Sequence, residues 1–410
     1  MFKVVFFVCV ALLLFCFALQ YDDELSPEAE SLVARFSDDQ SSTAYLHLLG
    51  ISAPVGDDPV LSGESLLKAS RSSDKPSDAY GYSDSEKLSL PSGDGFCVFG
   101  VDDCIGYLFS GSVKVIDLLD HHRVLVERSG RFFQYDEYRT MMQPTENEVF
   151  PEYIYLVRAQ RIKILEAIYL YKMGDVRDAI ESLVTQFSTV RRANERQDNL
   201  IGKVVLLPTL SDILDVLSII LSETGLHIEE IPRLSVPEKD FGTVFAREFG
   251  VSYYGFSRLD KAPNFFEVDE KFGNAPAWLV RTLFKPNMTI NALAPYYLML
   301  EELAVLSPAE FARDVKNLDR GAPSTSVIRN LAGNALLRVE GPPLEEYVAM
   351  THDLDVKIAM FNQIHHSKLD VRSLINLYGE SEFPALENGR LCFSGPFEAK
   401  YSIRCLAVQL

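Results

Sequence analysis

Apolar residues recur at helical spacing through the middle of the chain. Between residues 176 and 190 they occupy positions 176, 179, 180, 183, 184, 187 and 190, which lie on one face of an α-helix. A strand would divide the same residues between its two faces. The preceding segment, residues 152–173, is apolar over a broader arc and is expected to be covered on two sides. Two consecutive helices are therefore predicted.

The two predicted helices meet at Gly174 and Asp175. Gly174 can adopt the left-handed conformation that ends a helix, and Asp175 is predicted to cap the next helix by accepting its first free amide protons. The antiparallel hairpin resembles the turn inside a tetratricopeptide repeat, with Tyr169, Gly174 and Ala179 at matching spacing. No second copy follows at about 34 residues, so the hairpin is a single motif and not an array.

Further segments show the same periodicity. Helices are predicted at residues 210–221, 238–249, 275–284, 289–306, 308–315, 326–337, 344–364 and 371–377. Ser307, Pro308 and Glu310 form the signal of a capped helix start. Residues 344–364 carry an apolar stripe that predicts one buried face. The sequence therefore predicts a mainly α protein.

The flanking segments are less regular. Short helices are predicted at residues 26–36 and 43–49, whereas residues 54–95, rich in Ser, Asp, Gly and Pro, predict an extended linker. Residues 114–135 fit either a helix or a pair of strands. The resulting division is an export segment at 1–20, a loose N-terminal arm at 21–95, a small mixed segment at 96–135, a helical body at 136–378 and a C-terminal β-hairpin at 379–410.

The first residues have the pattern of an export signal. Lys3 precedes the apolar residues 4–19, and Asp22, Asp23 and Glu24 follow them. As a helix, 16 residues reach about 24 Å, less than the hydrocarbon core of about 30 Å. A cleaved signal peptide is therefore favoured, with a tether to the inner membrane through residues 4–19 as the open alternative. The protein is expected in the periplasm or outside the cell.

Charge and cysteine content narrow the choice of partners and compartment. The formal net charge is −19, which disfavours nucleic acid and anionic lipid surfaces, so membrane contact is expected only through the N-terminal segment. Outside that segment stand Cys97, Cys104, Cys392 and Cys405, an even set suited to an oxidising compartment. These four cysteines can pair in three ways. The arrangement that joins Cys97 to Cys104 and Cys392 to Cys405 is favoured because both bonds are local, and the bond between Cys392 and Cys405 would lie across the predicted hairpin. No zinc-binding spacing accompanies them, and no cofactor is predicted.

One cluster of possible catalytic residues lies in the predicted helix at 344–364. His352, Asp353 and Asp355 could hold a metal ion or act as acid and base in a hydrolase. His365 is thirteen residues from His352, nearly 20 Å along a helix, so the two histidines cannot share one ion. A solvated helix edge is the favoured interpretation, and the hydrolase remains the alternative.

Other catalytic signals are weak. His121 and His122, with Asp117 and Asp120, could form a second acid/base site, but the pattern is too short to define a reaction. The chain contains no Gly-x-Ser-x-Gly motif and no glycine-rich phosphate loop. A non-enzymatic role is therefore favoured, and the question of catalysis stays open.

Basic residues concentrate on the two predicted helices of the hairpin. The set comprises Arg158, Arg161, Lys163, Arg191, Arg192 and Arg196. Such a patch could receive an acidic partner segment or a carboxylate by bidentate pairing, or be neutralised by the surplus acids of the protein itself. Both interpretations stay open.

Several segments resemble a family of exported bacterial proteins that has no assigned activity. They are residues 44–50, residues 53–59, the Cys97 and Cys104 pair, the helical hairpin, residues 285–291 and the terminal hairpin. The resemblance implies export and a mainly helical fold, and it transfers no catalytic residue. The leading hypothesis is a non-enzymatic binding or assembly protein of the bacterial envelope that receives a protein or peptide partner on a helical groove.

Overall fold

The computed structural model describes most of the chain. The described residues are 19–36, 41–72, 81–99, 104–145, 147–259, 277–318, 323–339, 343–367, 370–379, 383–387 and 389–408, with two short strands between 259 and 277 and the helical positions Val4, Phe6, Phe7, Val10 and Phe17. The predicted export segment and its cleavage point thus lie largely outside the described residues. Within them, one helical stretch, Leu200–Thr224, has the length and composition of a membrane span, and 78% of its most apolar window is buried in the protein.

Helices dominate the described chain, as predicted. In order they are α1 Pro27–Val33, α2 Thr43–Leu49, α3 Pro59–Arg71, α4 Cys104–Phe109, α5 Val115–His121, α6 Arg123–Phe132, α7 Ile154–Met173, α8 Val176–Glu195, α9 Leu200–Val205, α10 Leu207–Thr224, α11 Val236–Lys239, α12 Gly242–Leu259, α13 Ala277–Leu283, α14 Pro286–Val305, α15 Pro308–Lys316, α16 Leu331–Leu337 and α17 Glu345–His365. The strands are β1 Glu267–Asp269, β2 Gly273–Asn274, β3 Ala385–Glu387, β4 Arg390–Cys392 and β5 Cys405–Ala407.

The predicted linker at residues 54–95 contains the helix α3, so the prediction of an extended segment was wrong there. Asp58 caps α3 by accepting the backbone N–H groups of Val60 and Leu61, and Pro59 occupies its first turn. The helix packs on α2 at backbone distance, because a Cβ atom at Gly63 would stand 1.9 Å from the carbonyl oxygen of Leu46. Composition alone suggested a linker, but close helix packing also requires small residues.

Two of the segments singled out in the sequence, residues 53–59 and residues 285–291, have structural roles. The buried guanidinium of Arg128 donates hydrogen bonds to the carbonyl oxygens of residues 51, 53, 54 and 57 at 2.5–2.9 Å, which fixes the turn after α2. At the start of α14, Lys285 binds the carbonyl oxygen of Leu19 at 2.7 Å, and Asn291 binds that of Glu24 at 2.8 Å. Residues 19–26 are therefore fastened to the helical body.

The hairpin of α7 and α8 forms where it was predicted. Gly174 ends α7 with a left-handed φ of 95°. Asp175 precedes α8, but its side chain accepts no capping hydrogen bond, so that detail of the prediction was wrong. Residues 114–135, for which helix and strands were both open, form the helices α5 and α6.

The helix α17 crosses the core together with α10 and is buried on every side along most of its length, from Val348 to Asn362. The sequence predicted one buried face and a solvated edge, and both statements were wrong. The polar residues of this helix misled the prediction because each finds a charged or polar partner on another element, which lets it be buried.

The small C-terminal sheet is antiparallel, with β4 between β3 and β5. Cys392 faces Cys405 in register, and the two form a disulfide with their Cα atoms 4.1 Å apart. Cys97 and Cys104 form the second disulfide, at 5.7 Å. Both local pairs suit an oxidising environment. The helix predicted at residues 371–377 is reduced to a single 3-10 turn, Val371–Ser373.

Candidate binding groove

The basic residues predicted as one patch are divided among three places. Arg191 is bound by Glu238 and by the carbonyl oxygens of residues 232 and 233, so it fastens the segment before α11. Arg158 and Arg161 line a cavity next to the Cys97 disulfide. Lys163, Arg192 and Arg196 line the groove between α6, α7 and α8, and Lys163 is paired there with Glu166. The patch is thus partly neutralised and partly available.

The predicted catalytic histidine, His352, is part of the core. Its ring stacks on Phe311 with the centroids 4.3 Å apart, and its Nε2 atom lies 3.2 Å from the carbonyl oxygen of Leu303. The side chain is fully buried, and burial lowers its pKa to about 4. At neutral pH the imidazole is therefore uncharged, in an apolar stack without access to solvent.

The neighbouring carboxylates bind different partners. Asp353 accepts hydrogen bonds from Arg404 at 2.8 Å and from the hydroxyl of Tyr378 at 2.6 Å. Asp355 is paired with Arg233 at 2.5 Å. No group of three His, Cys, Asp or Glu side chains in the described part of the chain could hold a metal ion. The structure places His352, Asp353 and Asp355 in three separate core contacts and not in a shared site.

A fourth buried contact on α17 was missed by the sequence reasoning. Asp215 of α10, fully buried, binds Lys357 at 2.7 Å and Arg390 of β4 at 2.6 Å. Burial lowers the pKa of Lys357 to about 8, although Asp215 opposes that shift. The signal in the sequence was Asp215 itself, a carboxylate in an otherwise apolar helix, which needs a buried cation. We refer to Asp215, Asp353, Asp355 and their cations as the core ion network.

The second histidine pair lies apart from α17. His121 and His122 stand with Asp117 around a cavity of about 430 Å³ whose lining does not include His352 or Asp120. Burial and the neighbouring His121 lower the pKa of His122. The two candidate histidine sites are therefore not brought together among the residues described.

The groove between α6, α7 and α8 has a volume of about 840 Å³. Its floor is polar and buried: the side chain of Gln186 donates to Oε1 of Gln160 at 2.9 Å, and Gln160 donates to the hydroxyl of Ser129 at 3.1 Å. Gln186 is 7% exposed, and its own Oε1 atom is buried without a hydrogen-bond partner. A buried acceptor without a donor costs free energy, which a bound N–H or O–H group would offset.

The two ends of the groove carry opposite charges. Asp178 and Glu181 line it near the start of α8, and Arg192 and Arg196 line it near the end of that helix. Asp178 and Arg192 are 14 residues apart, or about 21 Å along the helix axis. Arg196 is engaged: it donates to the carbonyl oxygen of Tyr135 at 2.7 Å and pairs at 3.6 Å with Asp136, which also lines the groove, so Arg192 carries the positive charge of this end. Arg192 is exposed and forms no ion pair with a described residue.

The wall formed by α6 contains an unusual glycine. Gly130 lies inside the helix, is exposed and has no heavy atom within 4 Å of the place where a Cβ would be. Packing therefore does not require glycine here, although glycine weakens a helix. Its presence leaves the groove wide. The sequence reasoning recognised Arg192 and Arg196 but not this wall or the floor, because each combines residues from separate helices.

No protein-family model matches the chain significantly, and neither does any curated protein or solved structure.

Proposed function

We propose that this protein is an exported, non-enzymatic binding protein of the bacterial envelope that holds an extended peptide segment of a partner in the groove between α6, α7 and α8. The observation that carries the proposal is the unpaired Oε1 atom of Gln186 at the floor of that groove. A polypeptide backbone offers N–H donors at regular intervals, the group that this acceptor lacks.

The length and charge of the groove define the segment. About 21 Å accommodates roughly six residues of an extended chain at about 3.3–3.6 Å each. Arg192 favours a carboxylate at one end, and Asp178 and Glu181 favour a basic group at the other. The expected partner segment is therefore short, extended and of mixed charge.

The compartment is part of the same proposal. Two disulfides suit an oxidising environment, and the net charge of −19 disfavours nucleic acid. A periplasmic position follows from these features together with the apolar residues 4–19, which predict export. We do not propose the hydrolase alternative, because His352, Asp353 and Asp355 are each bound within the core ion network or an apolar stack.

A displayed library of random seven-residue peptides tests the groove. The purified protein is used for selection, and enriched peptides are labelled with fluorescein and titrated by fluorescence anisotropy. We expect them to share an acidic residue near one end and to bind with micromolar dissociation constants. Gly130→Leu, which fills the groove, should weaken binding at least tenfold, and Arg192→Gln should weaken it about tenfold, the effect of losing one charge-assisted hydrogen bond.

The matched control is Gly255→Leu. Gly255 is also an exposed glycine inside a helix with open space at its Cβ position, but it lies in α12 and does not line the groove. This variant should bind the peptides as the wild type does. A library that yields no enriched peptide, or peptides that bind all three variants equally, would contradict the proposal.

A further inference from the structure

A second cavity lies between residues 96–99 and the helices α7, α9 and α10. Its volume is about 510 Å³, within the usual range for small-molecule sites. Apolar side chains that line it are unusually exposed: Val98 is 53% exposed, Ile154 41%, Ile201 46% and Tyr401 59%. Scattered exposed apolar residues are ordinary on protein surfaces, but four around one cavity indicate a site for an apolar ligand.

The two arginines of this cavity differ in their partners. Arg161 binds Asp212 at 2.7 Å and the carbonyl oxygen of Cys97 at 3.0 Å. Arg158 lies over the ring of Phe96, 5.1 Å from its centroid, and forms no ion pair with any residue that the structure describes. Burial and the positive charge of Arg161 lower the pKa of Arg158. An anion placed at Arg158 would offset both effects.

The backbone at one edge of the cavity is strained. Tyr401 has a φ of 53° and Ser402 a φ of 52°, in the left-handed region that residues with a side chain seldom adopt. This conformation places the ring of Tyr401 at the cavity while leaving it more than half exposed. Strained residues of this kind concentrate at ligand sites, because folding stability alone does not favour them.

We infer that this cavity binds a fatty acid, with its alkyl chain among the apolar side chains and its carboxylate at Arg158. A peptide would bring backbone amides that need hydrogen-bond partners, and the one carboxylate of the lining, Asp212, is already bound by Arg161. An alkyl chain has no such requirement. The net negative charge of the protein does not oppose a single carboxylate at this point, because the charge of Arg161 is balanced by Asp212 and Arg158 leaves a local positive potential.

Isothermal titration calorimetry of the full chain with octanoate, decanoate and dodecanoate, each below its micelle concentration, tests the inference. We expect one site, with affinity rising about fourfold for each added CH₂ group. Dodecan-1-ol should bind at least tenfold more weakly than dodecanoate. Arg158→Gln should weaken dodecanoate binding at least tenfold, and Ile201→Trp, which fills the mouth of the cavity, should abolish it.

Arg123→Gln is the matched control, since Arg123 is an exposed arginine that lines neither this cavity nor the peptide groove. It should leave dodecanoate binding unchanged.

Equal binding of the alcohol and the acid, or a normal affinity in Arg158→Gln, would overturn the role of the carboxylate. Normal binding in Ile201→Trp would place the ligand elsewhere, and tighter binding of an acetylated apolar tripeptide than of dodecanoate would replace the fatty acid with a peptide. Gly130→Leu separates the two sites, because it should leave dodecanoate binding unchanged.

Discussion

The core ion network and the groove between α6, α7 and α8 both contain buried polar side chains, but they differ in how their polar groups are paired. In the network, Asp215, Asp353 and Asp355 each bind a cation from another element. In the groove, Gln186 has an acceptor without a donor, and Arg192 has no ion pair among the described residues.

This difference separates residues that complete the fold from residues that are available to a partner. Removing one member of a buried ion pair leaves its partner charged in a medium that cannot solvate it, so the folded state is destabilised. Removing a side chain that faces a groove leaves the rest of the protein as it was. Substitutions in the network should therefore change stability, and substitutions in the groove should change binding.

Asp215→Ala should give the largest effect, because it leaves Lys357 and Arg390 buried together without a counter-charge. We expect a loss of about 3–5 kcal/mol in the free energy of unfolding, measured by urea denaturation at pH 7. The control is Asp314→Ala, since Asp314 pairs with Arg313 on the surface at 2.7 Å. That variant should lose less than about 1 kcal/mol. A similar small loss in Asp215→Ala would show that the buried network does not hold the fold together.

Replacing Cys392 and Cys405 by Ser should have the next largest effect. The disulfide closes a loop with a sequence separation of 13 residues and joins β4 to β5. Loop-closure entropy predicts a loss of about 3 kcal/mol, measured by urea denaturation of the double variant. The sheet region also positions Arg390 and Arg404 for their ion pairs in the core ion network. The loss in the free energy of unfolding should therefore exceed that of the Cys97 and Cys104 double variant. Equal losses would mean that the sheet and the network are independent.

Acidification should destabilise the protein through His352. The pKa of this histidine is about 4 in the folded state, against 6.5 for an unperturbed histidine, so between these values the unfolded chain binds one more proton. The free energy of unfolding therefore falls as the pH falls through that window, by about 1–3 kcal/mol for this group. Glu148 and Asp212 act in the opposite direction, because burial raises their pKa values to about 7 and about 6.

The difference between wild type and His352→Phe isolates the histidine. Urea denaturation at intervals between pH 7 and pH 4 should show a shallower loss of stability for the variant, which keeps the stack on Phe311 but cannot bind a proton. Parallel curves for the two proteins would mean that the histidine gains a proton in the folded state at its ordinary pKa.

Gly130→Ala should have the smallest effect, and in the opposite direction. Alanine favours a helix over glycine by about 0.5–1 kcal/mol, and the Cβ position at Gly130 is open. Thermal unfolding should show a small gain in stability, as in Gly255→Ala. Gly63→Ala is the contrasting variant, because a Cβ there meets the carbonyl oxygen of Leu46 at 1.9 Å, and it should lose stability. A loss in Gly130→Ala would show that the groove wall is part of the packed fold.

The parts of the fold that local signals define were predictable from the sequence. Gly174 has the left-handed conformation expected of it, Ser307 caps its helix as expected, and Cys392 faces Cys405 across two strands. Each of these features depends on residues close together in the chain. The mainly α class followed from the same kind of information, because apolar periodicity is also local.

The candidate sites were predictable only in part, because their components are distant in sequence. Arg233 binds Asp355 across 122 residues, and Arg390 binds Asp215 across 175. No local pattern identifies such partners, so the polar residues of α17 were interpreted as solvated. The predicted basic patch proved to be spread over three places for the same reason. Tertiary contacts decide which of its cations are neutralised, and these contacts are not visible in a local sequence pattern. A charged residue inside an apolar helix, such as Asp215, was the one local signal available.

The position of Arg390 in the chain also has a consequence for the time course of synthesis. Asp215 is made first, Lys357 later, and Arg390 arrives 175 residues after Asp215. At translation rates of about 5–20 residues per second, the delay is roughly 10–35 s. During that interval the carboxylate of Asp215 lacks Arg390, one of its two cations, and until Lys357 is made it lacks both. We therefore expect the core around Asp215 to close fully only after β4 is made.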